Sequence, residues 1–122
     1  MAIQKILIVD DSPTERYYLT DILVRNGFTV TTADNGEDAL AKIRADRPQL
    51  ILMDVVMPGA NGFQITRSIS RDPELSSVPI IICSSKNQET DRIWGMRQGA
   101  KDYFVKPVDA QALLARIATL GD

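Results

Sequence analysis

Short runs of consecutive hydrophobic residues recur along the chain, and each has the length of a buried β-strand. Three of them lie at 6–9, 50–53 and 80–83. Runs without polar alternation are typical of strands that are covered on both faces, as in parallel sheets. Residues 28–33 alternate between hydrophobic and polar, which predicts an edge strand. The short run 103–105 is flanked by charged residues, which predicts a strand at the opposite edge.

Amphipathic patterns fill the intervals between these runs and predict five helices. The first begins after Ser12, which forms a capping-box signature with Glu15 around Pro13, and it ends before Gly27. The predicted helices cover residues 14–26, 36–46, 62–71, 88–98 and 109–120. Strand and helix therefore alternate five times, which favours an α/β fold with a parallel sheet and helices on both of its faces.

Length and composition fit one domain. The chain has 122 residues, of which 44% are hydrophobic and 25% are charged, as is usual for a globular domain. Because the last predicted helix ends at residue 120, residues 1–122 are expected to form a single domain without an output domain. Fourteen basic residues against sixteen acidic ones give a net charge of −2, which argues against nucleic acid as the main partner.

Several classes of protein are excluded by what the sequence lacks. The chain has no histidine, which excludes Ser-His-Asp and Cys-His catalysis, histidine-based zinc sites and a phosphohistidine of its own. Its single cysteine, Cys83, excludes an intramolecular disulfide and is expected to be a buried, inert strand residue. We find neither a signal peptide nor an apolar run of about 20 residues, so a cytoplasmic protein is expected.

Polar side chains follow the predicted strands, at the edge of the sheet where parallel strands end. Asp10 and Asp11 follow the first strand, Asp54 the third, Ser84 the fourth and Lys106 the fifth. Ligands of open α/β sheets bind at this edge. Clustered carboxylates repel one another unless a cation neutralises them, and hard oxygen ligands suit Mg²⁺. Lysine adds a charge suited to phosphate, and an aspartate can act as a nucleophile that forms an aspartyl phosphate.

Each of these motifs also has an ordinary structural explanation. Adjacent aspartates such as Asp10 and Asp11 commonly form a turn or cap a helix, and a lone Ser84 commonly bonds to the local backbone. Asp54 precedes the turn signal at residues 57–59. The functional interpretation therefore depends on their coincidence at one edge of one small alternating fold.

Four motifs together carry a resemblance to a known family. They lie at residues 6–12, 52–62, 82–85 and 99–107. Over essentially the whole chain, the sequence resembles the receiver domains of two-component response regulators, the CheY-like family. The resemblance implies a flavodoxin-like (βα)5 fold with a five-stranded parallel sheet in the order 2-1-3-4-5. It also implies a phosphoacceptor that promotes its own phosphorylation and dephosphorylation, rather than an enzyme.

The resemblance assigns the acidic residues. Asp54 is the expected phosphoacceptor, which receives a phosphoryl group from a histidine kinase. Mg²⁺ is the expected cofactor, and its expected ligands are Asp10, Asp11, Asp54 and the backbone carbonyl of Val56.

The same resemblance assigns the residues that respond to the phosphoryl group. Ser84 is the expected switch hydroxyl, Lys106 the expected neutralising charge and Tyr103 the expected aromatic rotamer switch. A cis peptide bond is expected before Pro107.

A narrower resemblance concerns the biological pathway. Residues 11–15 and 86–95 resemble the stand-alone PilH-like receivers of type IV pilus chemosensory systems, which implies control of twitching motility and a chemosensory kinase as the phosphodonor. A downstream protein is expected to bind the face of the fourth helix, fifth strand and fifth helix, and the chain is expected to be a monomer or a weak dimer. The residues expected on this face are Trp94, Arg97, Lys101 and Tyr103.

The pattern of the fourth predicted helix bears on this face. Ile93 and Met96 are predicted to form its buried stripe, which leaves Trp94 partly exposed. A partly exposed tryptophan is either a residue packed along the surface or an anchor for a partner.

Three alternatives share parts of this pattern. A phosphate sink without an output partner would have the same fold and chemistry, and the sequence does not separate it from a signalling receiver. A phosphatase of the haloacid dehalogenase type would need Asp-x-Asp after the first strand, whereas Asp10 and Asp11 are adjacent. A flavodoxin-like flavin module would need a loop rich in Ser, Thr and Gly at that position, and the two aspartates would repel a flavin phosphate.

Overall fold

Strands and helices alternate in the computed structural model, which describes residues 2–57, 59 and 61–121. Most predicted boundaries are correct to within one residue, because caps and glycines mark the helix ends. The strands are β1 (Lys5–Val9), β2 (Thr29–Ala33), β3 (Leu50–Met53), β4 (Ile80–Ser84) and β5 (Asp102–Val105). The helices are α1 (Pro13–Arg25), α2 (Gly36–Asp46), α3 (Gly62–Arg71), α4 (Glu89–Arg97) and α5 (Ala110–Leu120).

The strands form one parallel sheet in the order β2-β1-β3-β4-β5, which confirms the predicted fold class. Strand β2 lies on one side of β1 and β3 lies on the other, so the direction of the strand order reverses at β1. Ligand sites of open α/β sheets lie at such a point. Val9 pairs with Met53 in the register of β1 and β3, so the next residues, Asp10 and Asp54, lie side by side.

Two hydrophobic layers cover the two faces of the sheet. Ile6 and Ile8 of β1 point into one layer, and Leu7 and Val9 point into the other. This explains why the sequence of β1 is hydrophobic without alternation, as predicted for a strand covered on both faces. The first layer includes Leu19 and Leu23 of α1 and Leu113 and Ile117 of α5, and the second includes Ala39 and Ile43 of α2 and Ile65 and Ile69 of α3.

The helix ends follow from local chemistry. Ser12 caps α1 by accepting a hydrogen bond from the backbone N–H of Glu15, and Pro13 occupies the first turn, where no backbone donor is needed. The backbone turns after α1 at Gly27, whose φ of 89° favours glycine. Asp109 caps α5 in the same way as Ser12 caps α1, with bonds from the backbone of residues 111 and 112.

The predicted buried stripe of α4 is wrong. Ile93 is 46% exposed and Met96 is 39% exposed, whereas Gly95 is buried against the sheet. Helix α4 is oriented so that Gly95 faces β4 and β5. Because glycine has no side chain, the helix backbone can approach the sheet closely. Trp94 is 47% exposed, as its position beside the predicted stripe indicated.

Cys83 is buried in β4, as predicted, and burial raises the pKa of its thiol to about 12. The thiol is therefore inert at neutral pH. Among the residues that the structure describes, no helix combines the length and the hydrophobicity that a membrane span requires.

Candidate functional site: an acidic centre at the ends of β1, β3 and β5

Three carboxylates converge at the predicted edge of the sheet. Asp10, Asp11 and Asp54 each place one oxygen within 4.8 Å of the oxygens of the other two. Asp10 and Asp54 are buried and Asp11 is exposed, so the cluster opens to solvent on one side. Asp10 and Asp11 directly follow β1, and Asp54 directly follows β3. The register of the sheet therefore assembles the cluster from residues far apart in sequence.

Backbone hydrogen bonds fix the two buried carboxylates. Asp10 Oδ1 accepts from the backbone N–H of Ser12 at 2.9 Å, and Asp54 Oδ1 accepts from that of Val55 at 2.9 Å. The backbone N–H of Asp54 donates to the Val9 carbonyl at 2.8 Å, which continues the ladder between β1 and β3 by one residue. Each carboxylate is therefore oriented before any ligand binds.

Lys106 lies against the cluster. Its Nζ is 2.7 Å from Asp10 Oδ2 and 3.5 Å from Asp54 Oδ1, and its side chain is 12% exposed. Its backbone N–H donates to the Ser84 carbonyl at 2.8 Å, which fixes the strand end that carries it. The peptide bond between Lys106 and Pro107 is cis. Burial acts to lower the pKa of Lys106, but its hydrogen bond with Asp10 and the nearby carboxylates raise that pKa above its ordinary value, so the ammonium is charged.

The environment of Asp54 makes its ionisation costly. Burial raises the pKa of Asp54 to about 6, and the charge of Asp10 adds to the rise. Lys106 and the backbone N–H groups of Val55 and Val56 act in the opposite direction and limit the rise. At neutral pH the carboxylate is therefore mostly ionised, but it is held in an environment that favours neutralisation of its charge.

A pH dependence of stability follows for the metal-free protein. The ordinary pKa of Asp54 is 3.8, and in the folded chain it is about 6. Between these values the folded chain binds more protons than the unfolded chain, so this residue's contribution to stability decreases as pH rises from about 4 to about 6. The total decrease is about 3 kcal/mol. Urea denaturation in EDTA at a series of pH values measures it.

The matched variant for this prediction is Asp54→Asn, which keeps the shape of the side chain and removes its titration. We expect the variant to be about 2–3 kcal/mol more stable than the wild type at pH 7 and close to it at pH 4. A difference between the two proteins that does not change with pH would contradict the assignment of the shift to Asp54.

Ser84 and Tyr103 meet at the backbone of Lys86. Ser84 is buried at the end of β4, and its Oγ accepts from the backbone N–H of Lys86 at 3.1 Å. The Tyr103 hydroxyl donates to the Lys86 carbonyl at 2.8 Å. Burial raises the pKa of the Tyr103 phenol above its ordinary value, and its hydrogen-bonding neighbour Ser84 opposes the rise.

Tyr103, which was also predicted for the output face, is buried in this structure. Tyr103 is 4% exposed, because its ring packs in a small hydrophobic cluster with Val55, Ile82 and Ala100. The other residues predicted for this face are exposed. Ile93 and Met96, which were predicted to be buried, are exposed as well. We define the α4–β5 face as Ile93, Trp94, Met96, Arg97, Lys101 and Val105.

Val56 lies at the rim of the site. Its side chain is 54% exposed, and it lines a cavity of about 340 Å³ together with Phe63 and Lys86. Gly59 in the following turn has a φ of 81°, which favours glycine. Pro58 of the predicted turn signal and Ala60 of the second motif lie outside the described residues.

Two features of the site were missed by the sequence analysis. Arg16 Nη1 donates to the Asp10 carbonyl at 2.8 Å, and this holds α1 to the loop that carries the aspartates. Gly62 begins α3 so close to the strand end that a Cβ there would lie 1.9 Å from the Asp54 carbonyl oxygen. The hydrogen bond of Arg16 could have been predicted from the position of this residue near the start of α1, close to the aspartates. The close approach of two backbones at Gly62 could not, because the glycine itself is its only trace in the sequence.

The donor set fits a divalent cation. Carboxylate oxygens are the preferred ligands of Mg²⁺, and one open side leaves room for water or a phosphate oxygen. Two buried, backbone-oriented carboxylates, one exposed carboxylate and one ammonium could therefore hold a hard cation beside an anionic group. Phosphoryl transfer depends mainly on this combination of positioning and charge neutralisation.

Comparison with known proteins agrees with this geometry. The family described as "Response regulator receiver domain" matches residues 6–118. The chain is 55% identical over 113 residues to Protein PilH of Pseudomonas aeruginosa, covering 93% of each chain. It superposes on a putative response regulator from Chloroflexus aurantiacus with a TM-score of 0.92 at 30% identity, covering 97% of each. It superposes on the chemotaxis protein CheY4 of Vibrio cholerae with a TM-score of 0.89 at 30% identity, covering 98% and 99%.

The fold, the acidic centre and these matches define a class of protein. The chain belongs to the response regulator receiver family and has the CheY-like fold. Within that family it is a homologue of PilH. These matches favour neither a haloacid dehalogenase phosphatase nor a flavin module.

Proposed function

We propose that the chain is a phosphoacceptor, with Asp54 as the residue that receives a phosphoryl group from a phosphohistidine of a kinase. The observation that carries this proposal is the position of Asp54, which is buried beside two further aspartates and 3.5 Å from the Lys106 ammonium. The donor is a second protein, because the chain has no histidine of its own.

The step breaks the phosphorus–nitrogen bond of the donor and forms a phosphorus–oxygen bond to an Asp54 carboxylate oxygen. Asp54 must be ionised to attack, and a pKa of about 6 leaves it mostly ionised at neutral pH. The backbone N–H of Val55 donates to one carboxylate oxygen of Asp54 and holds that oxygen in place. Lys106 can then turn its charge from the carboxylates toward the oxygens of the incoming phosphoryl group, and Ser84 can donate its hydroxyl proton to the same group.

Asp10, Asp11 and Asp54 are the residues that would hold Mg²⁺, with the Val56 carbonyl as a further ligand. When bound, Mg²⁺ supplies positive charge that lowers the repulsion among the carboxylates and between Asp54 and the phosphoryl oxygens. The protein residues orient the acceptor and neutralise the added charge.

The readout of phosphorylation is assigned to the α4–β5 face. Trp94 is the large aromatic residue exposed there, and Arg97 and Lys101 supply positive charge, which suits a partner with acidic and hydrophobic residues. We propose that residues 1–122 act as one receiver unit in the cytoplasm, as a monomer or a weak dimer. The identity to PilH supports a role in twitching motility under a chemosensory kinase.

Stabilisation by Mg²⁺ tests the metal part of the proposal. Mg²⁺ that binds the folded chain at ten times its dissociation constant is expected to stabilise it by about 1.4 kcal/mol, which raises Tm by several degrees. Differential scanning fluorimetry across a Mg²⁺ titration at pH 7 measures the shift.

Two exposed aspartates at the same edge of the sheet provide a test variant and its matched control. Asp11→Asn removes a carboxylate of the cluster and is expected to abolish most of the Mg²⁺ shift. Asp34→Asn changes an exposed carboxylate after β2, outside the cluster, and is expected to leave the shift unchanged. A wild-type Tm that does not depend on Mg²⁺, or equal shifts in both variants, would argue against a metal site at this cluster.

A further inference from the structure

Gly95 lies inside α4 at the point where this helix meets the sheet. A Cβ at this position would lie 2.8 Å from Ile82 Cδ1, 3.1 Å from Tyr103 Cδ2 and 3.4 Å from Phe63 Cε1. Real Cβ atoms do not approach a carbon atom to 2.8 Å, so any larger residue must move the terminal Cδ1 atom of Ile82, and the Tyr103 ring must move by a few tenths of an ångström. The space that Tyr103 occupies therefore depends on the missing side chain of Gly95.

The local preference of the helix does not explain this glycine. After proline, glycine is the least favourable residue in a helix interior, and alanine is the most favourable. In α4 the glycine is compensated by packing, because the helix backbone reaches the cluster formed by Val55, Ile82, Ala100 and Tyr103. Helix propensity and packing therefore make opposite predictions for Gly95→Ala, which makes the position informative.

The Tyr103 ring connects α4 with the acidic centre. Its hydroxyl donates to the Lys86 carbonyl, and the Lys86 backbone N–H donates to Ser84 Oγ. On the other side, Arg92 Nη1 of α4 donates to the Tyr103 carbonyl at 3.1 Å. The ring thus lies between α4, which carries Trp94, and Ser84, the last residue of β4.

We propose that Gly95 is a positioning residue that holds Tyr103 in its buried position and so links Ser84 to the α4–β5 face. This inference rests on the proposed function in one respect, because the link transmits a signal only if Ser84 responds to a phosphoryl group. A methyl group at residue 95 is expected to push the Tyr103 ring away from α4 and to weaken the hydrogen bond from its hydroxyl to the Lys86 carbonyl.

The test follows Tyr103 directly in the unphosphorylated protein. Tyrosine is replaced by 3-fluorotyrosine, and the Tyr103 signal in the ¹⁹F NMR spectrum is assigned with Tyr103→Phe. In Gly95→Ala we expect the equilibrium to shift about tenfold toward an exposed ring, which is the size of effect that overpacking by one methyl group produces. The shift is measured as a changed resonance and as broadening by a soluble paramagnetic probe.

Thr90→Ala is the matched control. Thr90 is an exposed residue of the same helix, so this variant also improves helix propensity but adds nothing near the ring. Its Tyr103 signal is expected to match that of the wild type. An unchanged Tyr103 signal in Gly95→Ala would overturn the inference, and so would equal changes in the two variants.

A double variant keeps the test decisive if Gly95→Ala alone does not fold. Ile82→Val removes the Cδ1 atom that a methyl group at residue 95 would meet at 2.8 Å, and it leaves the contact with Tyr103. Gly95→Ala in the Ile82→Val background is expected to fold and to keep the Tyr103 ring displaced relative to Ile82→Val alone. A buried ring in this double variant would contradict the inference.

Two further readouts separate the failure of this inference from the failure of the proposed function. Gly95 contacts none of the three aspartates, so Gly95→Ala is expected to accept a phosphoryl group from acetyl phosphate as the wild type does. Its Trp94 fluorescence response to beryllofluoride is expected to be several-fold smaller. If the wild type itself accepts no phosphoryl group, the proposed function fails, while the position of Tyr103 in the unphosphorylated variants still decides the role of Gly95.

Discussion

Asp54→Ala is expected to abolish phosphorylation of the chain. The variant removes the buried carboxylate that lies within the acidic cluster and 3.5 Å from the Lys106 ammonium. Transfer of radiolabelled phosphate from a phosphorylated chemosensory kinase measures the effect, and the label is expected to fall to background. In cells, the same variant is expected to reproduce the twitching phenotype of a deletion of the gene.

Asp34→Ala provides the control, because Asp34 follows β2 at the same edge of the sheet but is exposed and outside the cluster. It is expected to be labelled as strongly as the wild type. Label that persists in Asp54→Ala would identify another acceptor. A strain carrying Asp54→Ala that moves as the wild type does would show that phosphorylation of this residue is not needed for motility.

Lys106→Met is expected to have the second-largest effect, because Lys106 serves two carboxylates at once. Its Nζ bonds Asp10 at 2.7 Å and lies 3.5 Å from Asp54, and methionine keeps much of the side-chain volume without the charge. Removing one partner of a buried ion pair costs about 3 kcal/mol, so the free energy of unfolding at pH 7 without Mg²⁺ is expected to fall by that amount. Urea denaturation measures the loss.

The functional consequence of Lys106→Met separates phosphorylation from switching. The three aspartates remain, so Mg²⁺ binding and labelling by acetyl phosphate are expected to continue. The change in Trp94 fluorescence on phosphorylation is expected to be lost, because no ammonium is left to contact the phosphoryl oxygens. A normal fluorescence change in this variant would contradict the role of Lys106.

Lys42→Met is the matched control for stability. Lys42 forms an exposed pair with Asp38 at 3.1 Å, four residues apart on α2. Such surface pairs contribute about 0.5 kcal/mol or less, so this variant is expected to unfold almost as the wild type does. If both lysine variants lose the same free energy of unfolding, burial does not explain the contribution of the Lys106–Asp10 pair to stability.

The fold could be predicted because local and global signals agree. The uninterrupted hydrophobic runs that became β1, β3 and β4 place side chains in both layers, and the caps at Ser12 and Asp109 mark where helices begin. The convergence of the aspartates could be predicted for a related reason. In a parallel sheet, residues that follow different strands meet at one edge whatever their separation in sequence.

The wrong prediction for the buried stripe of α4 has a physical origin in how this helix meets the sheet. The periodicity of Ile93 and Met96 predicts a buried stripe, but the contact with β4 and β5 is made by Gly95, which carries no hydrophobic signal of its own. Burial of Tyr103 follows from the same contact, because the ring fills the space beside that glycine. Close approach of a backbone to a ring is a tertiary feature that a pattern of side chains along one helix does not encode.

The acidic centre was anticipated in its residues but not in its energetics. The raised pKa of Asp54 depends on burial and on the distance to Asp10, and the length of the contact between Lys106 and Asp10 depends on how the fifth strand ends. These quantities are set by the packed structure. They matter for function because the same balance of burial and charge that raises the pKa of Asp54 also favours neutralisation by a cation and by Lys106.

The intact mass of the wild-type protein after incubation with acetyl phosphate, with and without Mg²⁺, tests the central claim most directly. The account predicts a gain of one phosphoryl group that depends on Mg²⁺ and is absent from Asp54→Ala. If hydrolysis outpaces detection, a Mg²⁺-dependent beryllofluoride complex that requires Asp54 is the predicted substitute. No added mass together with no beryllofluoride complex, or an added mass that survives in Asp54→Ala, would contradict the account.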